Sequence, residues 1–192
     1  MYRYCYRAPL KNREAQGNDS LLPFETSSEK ASVYLNQSGE IDRVIHIDKI
    51  KIVESVILAS QAKHVVVGTD NCKRDVYHFL VPGKADHLTL RLGLTIHSGE
   101  GTWSSLPHDF EENLEPDFEE VFFYSLSGGS GRAYQVGRGV WMDGSSVDSV
   151  WPISHQSFST VPMGYHPVVG EPGVKVKYVW GYIAKFPRWE KI

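Results

Sequence analysis

The residues of this chain best suited to chemistry lie in three short strings, TWSSLPHDF (102–110), EEVFFY (119–124) and GYHPVV (164–169). In EEVFFY, strand alternation puts Glu120, Phe122 and Tyr124 on one face and Glu119, Val121 and Phe123 on the other, so one of the two glutamates points inward. An enclosed carboxylate costs on the order of several kcal/mol unless it is neutralised, hydrogen-bonded or bound to a cation. His108 and His166 lie on separate segments from Glu120, and a β-barrel gathers ligands from distant parts of a chain in just this way. Two histidines and a carboxylate suit a divalent transition metal with positions left open for substrate. Each piece has a plainer reading: a loop histidine beside a proline, or a solvated acidic pair on a strand edge.

The elements that must position these residues read as strands. Short β-branched or alternating runs, ASVYLNQ, SGEIDRVIHI, IKIVESVIL, KHVVV and DVYHFLV, are separated by turn formers. LTLRLGLTIH follows with the period-2 pattern of a half-buried antiparallel strand. Then come EEVFFYSL, AYQVGRGVWM, SVDSVWPI, FSTVP, GYHPVV and VKVKYVWGYIA. Residues 11–30 are polar and rich in turn formers and read as loop. IDKIKIVESVILASQAK could form an amphipathic helix, but its β-branched density favours strands. An all-β sandwich or barrel is expected, with a soft boundary at residues 82–88 in VPGKADH.

Composition narrows the function classes. The 192 residues are 41% hydrophobic and 22% charged with net charge −3, so no basic field exists to attract nucleic acid. No apolar run approaches the roughly 20 residues of a membrane helix, and MYRYCYRAPLKNRE lacks the apolar centre of a signal peptide, so the expected compartment is cytoplasmic. Cys5 and Cys72, far apart and outside any CxxC spacing, read as reduced thiols. The five tryptophans read as packing, except Trp103 beside the His108 motif.

The strings VGTDNCKRDVYHFLVPGKADHLTLRLGLTIHSGEGTWSSLPHDFE, EEVFFY, AYQVGRGVWMDGSSVDSVWPI and VPMGYHPVVGEPGVKVKYVWGYIA, spanning about 65–184, resemble the C-terminal part of the KduI/IolB family of uronate isomerases. The 5-deoxyglucuronate isomerase branch of inositol catabolism is the most similar. The resemblance implies a cupin fold (double-stranded β-helix or jelly roll) arranged as a truncated bicupin, with a shortened N-terminal β region over 1–85 and a metal-bearing C-terminal cupin over 86–192. It implies a divalent metal, zinc, manganese or iron, held by His108, Glu120 and His166. The family's second histidine falls on Phe110, which cannot ligate, and His97 or Asp109 are the nearest substitutes. The implied reaction is aldose–ketose isomerisation of a deoxy-uronate, with Tyr124 and Gln135 as catalytic candidates and Trp103, Gln135 and Tyr165 as substrate contacts. Arg132 and Lys177 could meet a substrate carboxylate, although surface cations are common. The implied partners are a small-molecule sugar acid and a second copy of the chain in a homo-oligomer. Phe110 keeps an alternative open, a non-catalytic or repurposed cupin that binds a sugar or sugar acid.

Overall fold

The computed structural model describes residues 13–14, 21–81, 87–105, 119–140, 144–162 and 165–183. Among these the strands are β1 (Arg13–Glu14), β2 (Leu21–Glu25), β3 (Glu29–Leu35), β4 (Ile41–Asp48), β5 (Val53–Leu58), β6 (Lys63–Val67), β7 (Arg74–Leu80), β8 (Leu90–His97), β9 (Trp103–Ser104), β10 (Glu119–Ser127), β11 (Ala133–Val140), β12 (Ser146–Ile153), β13 (Ser157–Pro162), β14 (Val168–Gly170) and β15 (Lys175–Ile183). Two 3-10 turns, Ala59–Gln61 and Asp70–Cys72, are the only helical segments described. No described helix is long and apolar enough to cross a membrane. The β-branched stretch that could also be read as a helix, residues 47–63, supplies the end of β4, all of β5, the Ala59–Gln61 turn and the start of β6, with β5 paired antiparallel to β4 from Arg43↔Leu58 to Asp48↔Val53.

The strands form three antiparallel layers. The middle sheet has the order β1-β13-β10-β15-β8-β7-β6, and the four-stranded sheets β12-β11-β14-β9 and β2-β3-β4-β5 flank it. One face of the middle sheet packs with the first flanking sheet around Phe122, Tyr124, Val168, Val176, Tyr178 and Trp180. Its other face packs on the N-terminal sheet through Val33, Val44, Leu92, Leu94, Phe123 and Val179. Alternation sorts these residues, since Phe122 and Phe123, or Val179 and Trp180, enter opposite cores. The residue 82–88 segment falls between β7 and β8, which pair with each other from Arg74↔His97 to Leu80↔Leu92.

Two expectations are corrected. LTLRLGLTIH is not half-buried: every residue of β8 is buried except the half-buried Ile96, because a second layer covers the face that alternation assigns to solvent. Residues 11–30 are not all loop. Leu21–Glu25 forms β2, paired to β3 through Leu22↔Val33 and Phe24↔Ala31, and Arg13–Glu14 pairs with β13. Pro23 is tolerated because β2 is an edge strand. Phe24 lies over Gly181, where an added Cβ would come within 2.5 Å of its ring.

Glu29, at the start of β3, ties the N-terminal sheet to β8. Its Oε1 accepts the Thr89 and Leu90 amides at 2.6 Å each, and its Oε2 meets His46 Nε2 at 2.9 Å. Burial pushes this carboxyl up, but the bonds from His46, Leu90 and Thr89 outweigh it and hold the group below its ordinary value. A depressed carboxyl contributes stability above its unfolded value, about 4.3, and loses it as pH falls through the folded value. Glu29→Gln is therefore expected to lower stability at pH 7 by about 1–3 kcal/mol. It should also flatten the decline of stability below about pH 4.3, as read by denaturant melts across pH; a variant that melts in parallel with the wild type at every pH would contradict this.

Candidate functional site

The register of the middle sheet arranges inward side chains in rows, because directly paired residues share a face. Arg91 on β8, Tyr182 on β15 and Glu120 on β10 are consecutive partners. The next row is Gly93, Trp180, Phe122 and Ser159, and the one after is Thr95, Tyr178 and Tyr124. Gly93 is required where it stands: a Cβ there would lie 2.2 Å from the Trp180 ring and 2.4 Å from the Tyr77 carbonyl. The opposite wall carries Gln135, Val168 and Ser104, again consecutive partners.

Glu120 and His166 meet inside this barrel. Glu120 Oε2 lies 3.6 Å from His166 Nε2, and both residues are buried. Burial pushes the Glu120 carboxyl up to about 8. The His166 ring tilts against Phe122, with centroids 6.1 Å apart.

Behind His166 lies a closed set of hydrogen bonds. Gln135, fully buried, donates from Nε2 to the carbonyls of His166 and of Pro167, the latter at 2.9 Å. Its Oε1 accepts the Tyr124 hydroxyl at 2.8 Å. A phenol has one proton, so Ser159 Oγ, 2.6 Å from Tyr124, is the donor in that pair. Burial raises Tyr124 above the ordinary phenol range, so it stays neutral.

Of the residues singled out in the sequence, the fold brings together Glu120 and His166, with Tyr124 and Gln135 behind them. His108, Phe110 and Asp109 lie outside the described residues. His97 is buried on β8, six positions and roughly 20 Å along the strand from Arg91. Its Nε2 is 2.6 Å from Ser104 Oγ, and burial holds the imidazole down at about 3, so it is neutral. Trp103 pairs with Val169, while its neighbour Ser104 pairs with inward-facing Val168, so Trp103 lies on the other face of that sheet. Tyr165, half-buried, forms an isolated bridge with Arg138. Lys177 is held by Glu40 at 2.5 Å, and Arg132 is exposed.

Arg91, Tyr182, Tyr178 and Ser159 complete the inner wall and were not singled out. The signal for Arg91 is present in LRLGLTIH, where Arg91, Gly93, Thr95 and His97 alternate with apolar residues. That polar face lines the barrel rather than meeting solvent.

Among the described residues no cluster of three or more His, Cys, Asp or Glu stands ready for a metal. The donors in place are one carboxylate and one imidazole, both enclosed, and the carboxylate has no described cation beside it other than His166 if protonated. A buried carboxyl facing an imidazole nitrogen fits zinc, manganese or iron as two members of a ligand set.

No curated protein matches the sequence. Among solved structures, the crystal structure of an IolB-like protein from Salmonella typhimurium LT2 matches with a TM-score of 0.56 at 17% identity, covering 83% of this chain and 64% of that chain. A likeness at this identity shows the shared all-β, cupin-like fold, and the chain spans 64% of that protein's length. The family model described as KduI/IolB matches residues 29–192, which include every element of the barrel wall described above. The chain belongs to the KduI/IolB family.

Proposed function

We propose that this protein is a metal-dependent isomerase of a sugar acid, interconverting the aldose and ketose forms of a deoxy-uronate such as 5-deoxyglucuronate. Family membership supports a sugar isomerase-like function. The observation that carries the reading further is the convergence of Glu120 and His166, 3.6 Å apart, within a barrel lined by hydroxyls and amides.

Glu120 and His166 hold the metal, with His108 as the third ligand on the resemblance of its motif. A bound divalent ion supplies Lewis acidity toward a carbonyl and the hydroxyl beside it. Tyr124 and Gln135 are positioning residues: both amide hydrogens of Gln135 fix the backbone on either side of the His166–Pro167 bond, and Tyr124 fixes Gln135. Phe122, Trp180 and Tyr178 exclude water from the inner end of the site, which strengthens electrostatic contacts there. The exposed apolar residues Val53, Val56 and Leu58 on edge strand β5 support a homo-oligomer.

The test is ¹H NMR of 5-deoxyglucuronate, and separately of a 4-deoxy-5-ketouronate, with protein loaded with zinc or manganese. Interconversion that stops on chelation and returns with metal is expected. Absence of turnover on both substrates with metal present would overturn the isomerase reading and favour a binding protein.

A further inference from the structure

Arg91 has no part in the chemistry assigned so far, yet its placement is unusual. It is 5% exposed, and arginine is almost never so buried without a partner. Its Nη1 reaches two carbonyls, Leu90 at 3.1 Å and Leu88 at 3.4 Å, while its buried Nε has no hydrogen-bond partner among the described residues. No described carboxylate lies within ion-pair distance of it. Two described acids act on it, the phenol Tyr182 and the carboxylate Glu29, and Glu29 has Oε1 occupied by the Thr89 and Leu90 amides and Oε2 by His46. A guanidinium offers five donors in a rigid fork, and the Nε donor of this one is unspent among the described residues.

Its position gives that capacity a use. Arg91, Tyr182 and Glu120 form one row across β8, β15 and β10 and face the same interior. Two strand spacings separate the backbones of Arg91 and Glu120, about 9–10 Å. That span suits an extended six-carbon acid with its carbonyl end toward Glu120 and His166 and its acid end toward Arg91. A buried guanidinium without an anion is costly, and a carboxylate arriving with the substrate removes the cost while accepting a forked pair of bonds. The other cations considered for this role are placed elsewhere, Lys177 against Glu40 and Arg132 in solvent.

We propose that Arg91 anchors the substrate carboxylate and selects sugar acids over neutral sugars. This rests on the sugar-acid reading above and adds the residue that enforces it.

The test compares D-glucuronate with its uncharged analogue D-glucuronamide by calorimetric titration of zinc-loaded protein. The wild type is expected to prefer glucuronate by on the order of 10- to 100-fold, the range of a charge-assisted hydrogen bond. Arg91→Gln should bind the two equally, and Arg91→Lys should keep part of the preference, with zinc content unchanged in both. The comparison of ligands on the wild type and on Arg91→Lys holds even if Arg91→Gln does not fold. A preference that survives intact in Arg91→Gln, or is absent from the wild type, overturns the anchor while leaving the isomerase reading in place. Binding of neither compound by the zinc-loaded wild type counts against both.

Discussion

Glu120→Gln is expected to lower isomerase turnover by more than about 100-fold, since losing even an outer-shell partner of a metal ligand typically costs 10- to 100-fold in affinity or activity. The amide keeps the shape of the carboxyl, so Phe122, His166 and Tyr182 around it should stay packed, and the variant should melt no lower than the wild type without metal. Without metal, burial already keeps this carboxyl largely neutral at pH 7, so the amide costs little stability, and stability and activity should part company. Parallel measurement of turnover and of thermal midpoint in chelator reads both effects. Activity within tenfold of the wild type would mean that Glu120 is a buried structural acid and not a ligand.

Gln135→Leu has the other large expected effect, and it falls on stability first. The substitution strips the Gln135 bonds from the carbonyls of His166 and Pro167 and from the Tyr124 hydroxyl, all in a buried setting; Pro167 keeps the Val136 amide at 2.8 Å, so the cost falls on the His166 carbonyl and the Tyr124 hydroxyl. Each unsatisfied group costs about 1–3 kcal/mol, and allowing for relaxation the sum is about 3–5 kcal/mol. For a chain of this size that corresponds to a fall in melting temperature of roughly 8–15 °C. Because Gln135 grips the backbone that carries His166, metal affinity should fall too, although Gln135 touches no ligand side chain. Differential scanning calorimetry alongside zinc titration separates the two effects. A midpoint within about 2 °C of the wild type, a shift expected for about 1 kcal/mol or less, would show that the His166 segment is held by other contacts.

These expectations also show what the sequence made legible. The strand rhythm and the inward face of EEVFFY were readable because period-2 alternation fixes which residues share a side, and Glu120, Phe122 and Tyr124 do. Alternation does not say what covers each side. The polar face of β8 therefore reads as a solvent face in the sequence, which hides Arg91 and marks His97 only as a substitute ligand, because only the middle position of the sheet encloses both faces. Residues 21–25 were hidden for a related reason: Leu22 and Phe24 are too few to announce a strand, and pairing with β3 makes them one. Gln135 was noticed as a polar residue on a barrel strand, but its role depends on a partner 31 residues away, His166, and no local pattern encodes that contact. Trp103 drew notice through proximity in sequence to His108, whereas the β9–β14 register turns it to the opposite face from Ser104.

The central claim, that Glu120 and His166 hold a catalytic metal, is tested most directly by elemental analysis of protein purified without chelator or metal-affinity tag, beside His166→Ala prepared in the same way. Near-stoichiometric zinc, manganese or iron in the wild type and its loss from the variant is the predicted result. Equal metal content in the two proteins, or none in the wild type even after incubation with these ions, would contradict it.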